Sequence, residues 1–182
     1  LFVCNTIGAK QVFRFNKHVF RRWVLTTFHK DIYKEVRPVY LRFIDAAKQI
    51  GVAPDGKYTE LVVPEQLGKS MKDIFAQANI SFEKRIIALC PGASFSNKQW
   101  QVEKFQQLAK RIVLDYDAQV ILLGGKKELE MCETIANESG AVSFAGKFDL
   151  SQSIAALSMV SLTVANDTGM LHVSEALGVP VV

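Results

Sequence analysis

The feature that most constrains the fold is a regular alternation of short apolar runs with helix-like stretches from residue 85 to the end of the chain. Residues 85–90, 118–123, 141–144 and 161–165 have the length and the bounding residues of strands, and residues 179–182 begin one more. Between them, residues 151–159 and 168–177 have helical spacing, and the stretch after residue 100 places Phe105, Leu108, Ala109, Ile112 and Val113 on one face. Strands that alternate with helices pair in parallel, with helices covering both faces of the sheet. The sequence therefore predicts an α/β fold with a Rossmann-like parallel sheet.

Loops suited to an anionic ligand follow three of the predicted strands. The first reads Pro-Gly-Ala-Ser and carries Ser94 and Lys98, the second contains Gly-Gly followed by Glu128, and the third, residues 166–169, opens a helix. A helix N-terminus has unpaired N–H groups and a partial positive charge, so it can hold a phosphate. Ligands of open parallel sheets bind at the carboxyl ends of the strands. We therefore expect a phosphate-binding site at this edge of the sheet.

Each of these side chains also has an ordinary structural interpretation. Asp167 or Thr168 is suited to cap the helix that follows, and Lys98 is suited to a solvated loop. Glu128 is a favourable anion in the first turn of a helix, and His172 is compatible with a partly buried, hydrogen-bonded histidine. The residues alone leave both interpretations open.

Taken together, the motifs of residues 85–182 resemble the carboxyl-terminal half of the heptosyltransferases, glycosyltransferase family 9. The pattern comprises Pro-Gly-Ala-Ser, Lys98 with Trp100 two residues on, Leu-Leu-Gly-Gly with Glu128 after it, Gly146, and Asn-Asp-Thr-Gly-Met-Leu-His followed by Ala-Leu-Gly-Val-Pro. The resemblance implies the GT-B arrangement, in which two Rossmann-like domains face each other and the second holds the activated sugar. It also implies metal-independent, inverting transfer of heptose from ADP-heptose to the inner core of lipopolysaccharide.

The resemblance assigns the donor's diphosphate and sugar to the third loop. It implies that Asp167, Thr168 and Gly169 bind this part of the donor, with the amides of Thr168 and Gly169 donating hydrogen bonds to the anion. His172, on the first turn of the following helix, is implied to lie near the same site. Asp167 is one of the two residues that we expect to be catalytic.

The other two loops are implied to hold the rest of the donor. Lys98, the second expected catalytic residue, is implied to neutralise the charge on the departing nucleoside diphosphate, a role in which electrostatic preorganisation outweighs proton transfer. Glu128 is implied to accept hydrogen bonds from ribose hydroxyls, and the hydroxyl of Ser94 to face the anion.

The sequence predicts neither a metal site nor a cofactor. The three histidines are far apart, and the three cysteines have no paired ligand spacing; these residues are His18, His29, His172, Cys4, Cys90 and Cys132. Sparse, unpaired cysteines favour a reducing compartment. No signal peptide and no apolar run of membrane-spanning length is visible. We therefore expect a cytoplasmic protein, working as a peripheral protein at the inner face of the inner membrane.

The first 50 residues are strongly basic, with ten lysine or arginine residues against three acidic ones. The basic residues are Lys10, Arg14, Lys17, Arg21, Arg22, Lys30, Lys34, Arg37, Arg42 and Lys48. Aromatic side chains lie among them, so the segment 10–42 suits an anionic membrane surface or the lipopolysaccharide acceptor. Nucleic acid would accept the same charges, but no nucleic-acid-binding motif accompanies them. A solvated basic surface is the ordinary alternative.

The amino-terminal part resembles the late portion of the family's first domain. The sequence predicts a basic loop, a helix over 38–50, a strand over 60–64 and a helix over 65–79. We therefore interpret residues 1–80 as the remnant of an acceptor-side domain with a linker helix, and residues 81–182 as a nearly complete nucleotide-sugar-binding domain. The early loop that carries the family's proposed general base is expected to be missing, so we expect donor binding without turnover.

Other functions remain compatible with the same loops. Another GT-B glycosyltransferase, or a sugar-nucleotide epimerase that uses a UDP- or GDP-linked sugar, would share the phosphate-binding features. A non-catalytic module that binds an anionic ligand is a further alternative. A nicotinamide-dependent dehydrogenase is disfavoured, because no Gly-x-Gly-x-x-Gly turn follows any predicted strand.

Overall fold

The computed structural model describes residues 8, 12–13, 17–33, 35 and 37–182. The chain divides into two compact units, Leu1–Lys57 and Tyr58–Val182.

In the first unit, α1 is Val19–Phe28 and α2 is Val39–Ala47, and a 3-10 turn at Lys48–Ile50 extends α2 to Gly51. The helix predicted over 38–50 is thus confirmed, whereas α1 occupies part of the segment predicted to be a basic loop. That prediction was wrong because the apolar residues of Val19–Phe28 have helical spacing, which a basic composition does not disrupt. Lys10, Arg14 and Lys34 of the basic segment lie outside the described residues.

The second unit contains the alternation of helices and strands. Its elements are α3 (Glu65–Gln77), β1 (Ile86–Cys90), α4 (Val102–Asp115), β2 (Gln119–Leu122), α5 (Leu129–Ser139), β3 (Val142–Ser143), α6 (Leu150–Leu157), β4 (Leu162–Ala165) and α7 (Gly169–Ala176). Among the described residues, the four strands form one parallel sheet in the order β3-β2-β1-β4. The last residues of the chain begin a further parallel pairing beside β4, through Val181 and Thr163. The predicted α/β fold with a Rossmann-like parallel sheet is confirmed.

Two apolar clusters cover the two faces of this sheet. One includes Met71 and Phe75 of α3 with Leu157 of α6, and the other includes Phe105 of α4 with Ile135 of α5. On α4, the predicted core face is confirmed, since Phe105, Ala109 and Ile112 are buried and Leu108 and Val113 are partly buried. Because helices shield the sheet on both sides, the end of the sheet formed by the strands' carboxyl termini remains open to a ligand.

The strand predicted over residues 60–64 is absent, and the segment has no regular secondary structure. A strand needs hydrogen bonds to a neighbouring strand along its length. Here the amide of Leu61 donates instead to the carbonyl of Ala176 at the end of α7, 2.8 Å away, and Pro64 has no N–H to donate. The helix predicted over 65–79 is confirmed as α3, which packs in the second unit. The assignment of residues 1–80 to a remnant of an acceptor-side domain stays a prediction.

Candidate functional site

A cleft of about 500 Å³ lies where β1, β2 and β4 end. Its lining residues are Cys90, Gly92, Ala93, Ser94, Leu123, Gly124, Gly125, Lys127, Glu128, Phe148, Asp149, Leu150, Ser153, Thr168, Gly169 and Met170. The three loops that the sequence singles out therefore meet around one cavity. Four predicted site residues line it: Ser94, Glu128, Thr168 and Gly169.

Glu128 is wedged against glycines of two loops. Its Oε2 accepts a hydrogen bond from the amide of Gly125 at 2.9 Å. A Cβ atom added to Gly92 would lie 2.6 Å from Glu128 Cγ, and one added to Gly124 would lie 2.8 Å from Glu128 Cβ. Because both distances are shorter than real Cβ contacts, only glycine allows this approach at either position. Because Gly92 and Gly124 have no side chains, the carboxylate of Glu128 fits at the cleft. Its Oε1 has no hydrogen-bond partner within the described part of the chain.

Lys98 and Asp167, the two expected catalytic residues, form an ion pair between the first and third loops. Neither lines the cleft, but Asp167 directly precedes Thr168, which does. The hydrogen bond from the Lys98 ammonium, together with its charge, holds the pKa of Asp167 below its usual range, and His172 contributes more weakly. The cation of the first loop is therefore held beside the N-terminus of α7.

The N-terminus of α7 carries no side-chain cap. By contrast, the neighbouring helix α6 has a complete capping box, in which Asp149 accepts from the amide of Gln152 at 2.7 Å and Gln152 accepts from that of Asp149 at 3.0 Å. The hydroxyl Oγ1 of Thr168 is buried, with no hydrogen-bond partner in the part of the chain that the structure describes. The first N–H groups of α7 are thus available to an anion in the cleft. Thr168 has the N-cap position but does not cap the helix with its side chain.

His172 does not line the cleft. Its ring is exposed, and Nδ1 lies 3.1 Å from Oε2 of Glu175, one turn further along α7. Its predicted place near the donor stays a prediction.

Asn166 connects the third loop with the first, and the sequence interpretation gave it no role. It is 9% exposed. Its Nδ2 donates to the carbonyl of Pro91 at 2.6 Å, and its Oδ1 accepts from the amide of Trp100 at 3.1 Å. Its partners lie 75 and 66 residues away in the sequence, so no local motif indicates these bonds.

One wall of the cleft comes from a segment that the sequence interpretation missed. Phe148 and Leu150 of this segment, together with Met170 of α7, give the wall an apolar character, and Phe148 stacks on Phe144 with ring centroids 4.7 Å apart. The signal that could have indicated it is Asp149 with Gln152 three residues later, a capping box that aims a helix N-terminus at the same sheet edge. The cleft therefore combines a polar side that suits phosphates with an apolar side that suits a ring system.

Two further properties concern the chemistry available at this site. Burial raises the pKa of the Cys90 thiol to about 12, so this cleft residue is a poor nucleophile near neutral pH. Among the described residues, no three or more histidine, cysteine, aspartate or glutamate side chains are grouped to hold a metal ion. The helices of this part of the chain are also too short or too polar to cross a membrane.

A match to a protein family accompanies this geometry. The family model described as glycosyltransferase family 9 (heptosyltransferase) matches residues 7–182. The chain belongs to glycosyltransferase family 9. This confirms the family resemblance seen in the motifs.

Curated relatives of this family 9 chain include two heptosyltransferases. Lipopolysaccharide heptosyltransferase 2 of Escherichia coli K12 is 32% identical over 113 residues, which cover 58% of this chain and 32% of the relative. Lipooligosaccharide heptosyltransferase 2 of Haemophilus influenzae is 28% identical over 169 residues, which cover 89% of this chain and 44% of the relative. The chain thus matches 32% and 44% of the length of these two relatives, less than half in each case.

Solved structures of the family share the fold. A glycosyltransferase family 9 protein from Veillonella parvula superposes with a TM-score of 0.74 at 19% identity, covering 99% of this chain and 59% of that protein. The ADP-heptose lipopolysaccharide heptosyltransferase II of Escherichia coli superposes with a TM-score of 0.61 at 28% identity, covering 71% of this chain and 40% of that protein.

Proposed function

We propose that residues 81–182, which lie within the second unit, form the donor-binding domain of a glycosyltransferase that transfers heptose from ADP-heptose to the inner core of lipopolysaccharide. The observation that carries this proposal is that Glu128 and the uncapped N-terminus of α7 meet at one cleft of a family 9 chain, with Lys98 held beside that N-terminus by its ion pair with Asp167. The lipopolysaccharide acceptor and the ADP-heptose donor are proposed by analogy with relatives that are named lipopolysaccharide heptosyltransferase and ADP-heptose lipopolysaccharide heptosyltransferase.

In this proposal the donor's diphosphate binds between Lys98 and the first amides of α7. Asp167 forms an ion pair with the Lys98 ammonium, so the diphosphate competes with a carboxylate for the same cation. The amides of Thr168 and Gly169 add donors that need no reorganisation when negative charge develops on the leaving group. In this proposal, Lys98 and the amides of Thr168 and Gly169 stabilise the leaving group. Asp167, once displaced from Lys98, faces the sugar.

The nucleoside is proposed to occupy the side of the cleft near Glu128. Oε2 of Glu128 already accepts a hydrogen bond from the amide of Gly125, so Oε1 is the oxygen that accepts a hydrogen bond from a ribose hydroxyl. Ser94 contributes its hydroxyl from the opposite loop, and His172 is proposed to approach the sugar from the first turn of α7. No described residue is assigned as the general base, so the proposal for this chain concerns donor binding.

Calorimetric titration of the chain with ADP, UDP and GDP tests this proposal. We expect selective binding of ADP that weakens at least about tenfold in Lys98→Ala, because an interaction between a cation and a phosphate worth more than 1.4 kcal/mol is lost. Lys110→Ala is the matched control, since Lys110 is an exposed lysine on α4 away from the cleft. ADP that fails to bind a folded chain, or that binds Lys98→Ala as tightly as the parent, would contradict the proposal.

The same titration separates the alternatives. Tighter binding of UDP or GDP than of ADP would instead support another GT-B enzyme or an epimerase with a similar phosphate site. Equal binding of all three nucleotides and of inorganic pyrophosphate would support a module that recognises only the anion.

We also propose that the protein works at the cytoplasmic face of the inner membrane and contacts it through the segment 10–42. On the described helix α1, Phe20, Trp23 and Phe28 are exposed, and no acidic residue lies between Val19 and Phe28. Exposed aromatic rings beside Arg21 and Arg22 suit the headgroup region of an anionic bilayer.

Co-sedimentation with vesicles tests the membrane contact. The chain is expected to bind vesicles that contain phosphatidylglycerol, to bind phosphatidylcholine vesicles poorly, and to lose binding in Arg21→Ala/Arg22→Ala. The control Lys110→Ala/Arg111→Ala removes two exposed basic residues from the second unit. If both double variants lose binding equally, the contact is general electrostatic attraction and not a property of this segment.

A further inference from the structure

We propose that Asn166 is a positioning residue that closes the base of the loop carrying Ser94 and Lys98. This loop leaves β1 at Pro91 and returns to the packed part of the domain at Trp100. One buried side chain, that of Asn166, bonds to the backbone at both points, 2.6 Å from the Pro91 carbonyl oxygen and 3.1 Å from the Trp100 nitrogen. The role in donor binding rests on the proposed function, whereas the loop closure itself does not.

The chemistry of the two partners accounts for an amide at residue 166. The Pro91 carbonyl can only accept a hydrogen bond and the Trp100 N–H can only donate one, so the bridging side chain must supply one donor and one acceptor. An asparagine satisfies both with a fixed orientation. A carboxylate would keep the bond from Trp100 but would place a negative oxygen against the Pro91 carbonyl. An apolar side chain would leave both backbone groups without this partner.

Further contacts connect this closure to Lys98. The ring of Trp100 packs edge-on against the buried ring of Phe105, with centroids 5.1 Å apart, which fixes the returning end of the loop to α4. Within the loop, the amide of Gln99 donates to the Ser96 carbonyl at 3.1 Å, and its side chain reaches the Ala93 carbonyl at 3.3 Å. Lys98 therefore projects from a short segment whose two ends are both held by residue 166.

The next residue along the chain strengthens the connection. Asp167 directly follows Asn166 and forms the ion pair with Lys98. The end of β4 thus binds the first loop twice, once at its base through a neutral amide and once at its functional lysine through a carboxylate. When a diphosphate displaces Asp167 from Lys98, the side-chain amide of Asn166 keeps its hydrogen bonds to Pro91 and Trp100 and so continues to hold the loop in place.

The first test is amide hydrogen exchange of the unaltered chain, which needs no ligand and no variant. The Trp100 amide is expected to exchange more slowly than the amide of Asn97, an exposed residue of the same loop for which the described residues provide no acceptor. Equal exchange of the two amides would overturn the loop closure, whatever the outcome of nucleotide binding.

The second test measures ADP binding by Asn166→Asp and by the matched control Asn97→Asp, each relative to the unaltered chain at the same pH. At pH 8 Asn166→Asp is expected to bind ADP about tenfold more weakly, because the ionised carboxylate repels the Pro91 carbonyl. As the pH falls towards 5 the new buried carboxyl becomes protonated and can donate to Pro91, so its deficit relative to the unaltered chain is expected to shrink. A side chain needed only for folding would lower the free energy of unfolding of Asn166→Asp at pH 8 but leave the ADP affinity of the folded chain unchanged.

The control distinguishes positioning from added charge. Asn97→Asp places the same negative charge beside Lys98 without touching Asn166. If it weakens ADP binding as much as Asn166→Asp does, with the same pH profile, the positioning role is wrong. If the unaltered chain itself does not bind ADP, the proposed function fails, while slow exchange of the Trp100 amide would still support the closure.

Discussion

Replacing Gly92 by alanine is expected to destabilise the second unit through one contact, that with Glu128. Gly92 does not have a positive φ, so the expected cost is steric. The new Cβ would lie 2.6 Å from Cγ and 3.1 Å from Cδ of Glu128. The glutamate must swing away, and its hydrogen bond to the Gly125 amide is then lost.

The size of the effect follows from these contacts. Overpacking of this kind and loss of one charge-assisted hydrogen bond together lower the free energy of unfolding by about 2 kcal/mol. For a chain of this length the melting temperature should fall by about 4–8 °C. If Glu128 binds the ribose as proposed, ADP affinity should fall as well, because the displaced carboxylate leaves that position.

A double-mutant cycle measured by urea denaturation tests the reasoning. In the Glu128→Ala background Cγ is absent, so Gly92→Ala should cost less than about 0.5 kcal/mol. Gly124→Ala should remain costly in that background, since its Cβ would clash with Cβ of residue 128, which alanine retains. Gly169→Ala is the tolerated control, because nothing lies within 4 Å of its added Cβ. An undiminished cost of Gly92→Ala in the Glu128→Ala background would refute the contact.

Three further predictions concern polar groups of the second unit. NMR titration should show the pKa of the Asp167 carboxyl below its usual range in the unaltered chain and closer to that range in Lys98→Ala. Because folding lowers this pKa, the ion pair is fully formed above the ordinary carboxyl pKa and is lost as the pH falls through the lowered pKa of the folded chain. Cys90, with a pKa of about 12, should be alkylated at pH 8 roughly a thousandfold more slowly in the folded chain than in urea, as measured by peptide mass mapping. Thr163→Val should lower the free energy of unfolding by about 1–3 kcal/mol, because the buried Ser174 hydroxyl loses its acceptor 2.9 Å away, and urea denaturation would detect this loss.

The sheet could be predicted from the sequence because its strands are buried on both faces. Such strands appear as short continuous apolar runs, and each predicted run from residue 85 onwards coincides with a strand or with the parallel bridge at Val181. The run over residues 60–64 has the same appearance, yet Leu61 bonds to a helix end. A run of this kind does not reveal whether a neighbouring strand is available, which depends on the tertiary arrangement.

The site was predictable where chemistry lies in local motifs. Ser94, Glu128, Thr168 and Gly169 follow strands whose parallel order brings their ends together, and all four line one cleft. The hydrogen bonds of Asn166 involve backbone groups 66 and 75 residues away in the sequence, so no local sequence motif predicts them. The apolar wall at Phe148 was missed for a related reason, because a core aromatic and a ligand-facing aromatic look alike in sequence.

The most direct test of the account is a titration of the isotope-labelled chain with ADP, followed by amide NMR. Binding at the proposed site should shift the amides of Thr168 and Gly169, those of the loop from Gly92 to Lys98, and that of Glu128, while amides on the far side of α4 stay unchanged. Shifts confined to residues outside this cleft, or no shifts in a folded chain at saturating ADP, would contradict the claim that it binds the donor nucleotide.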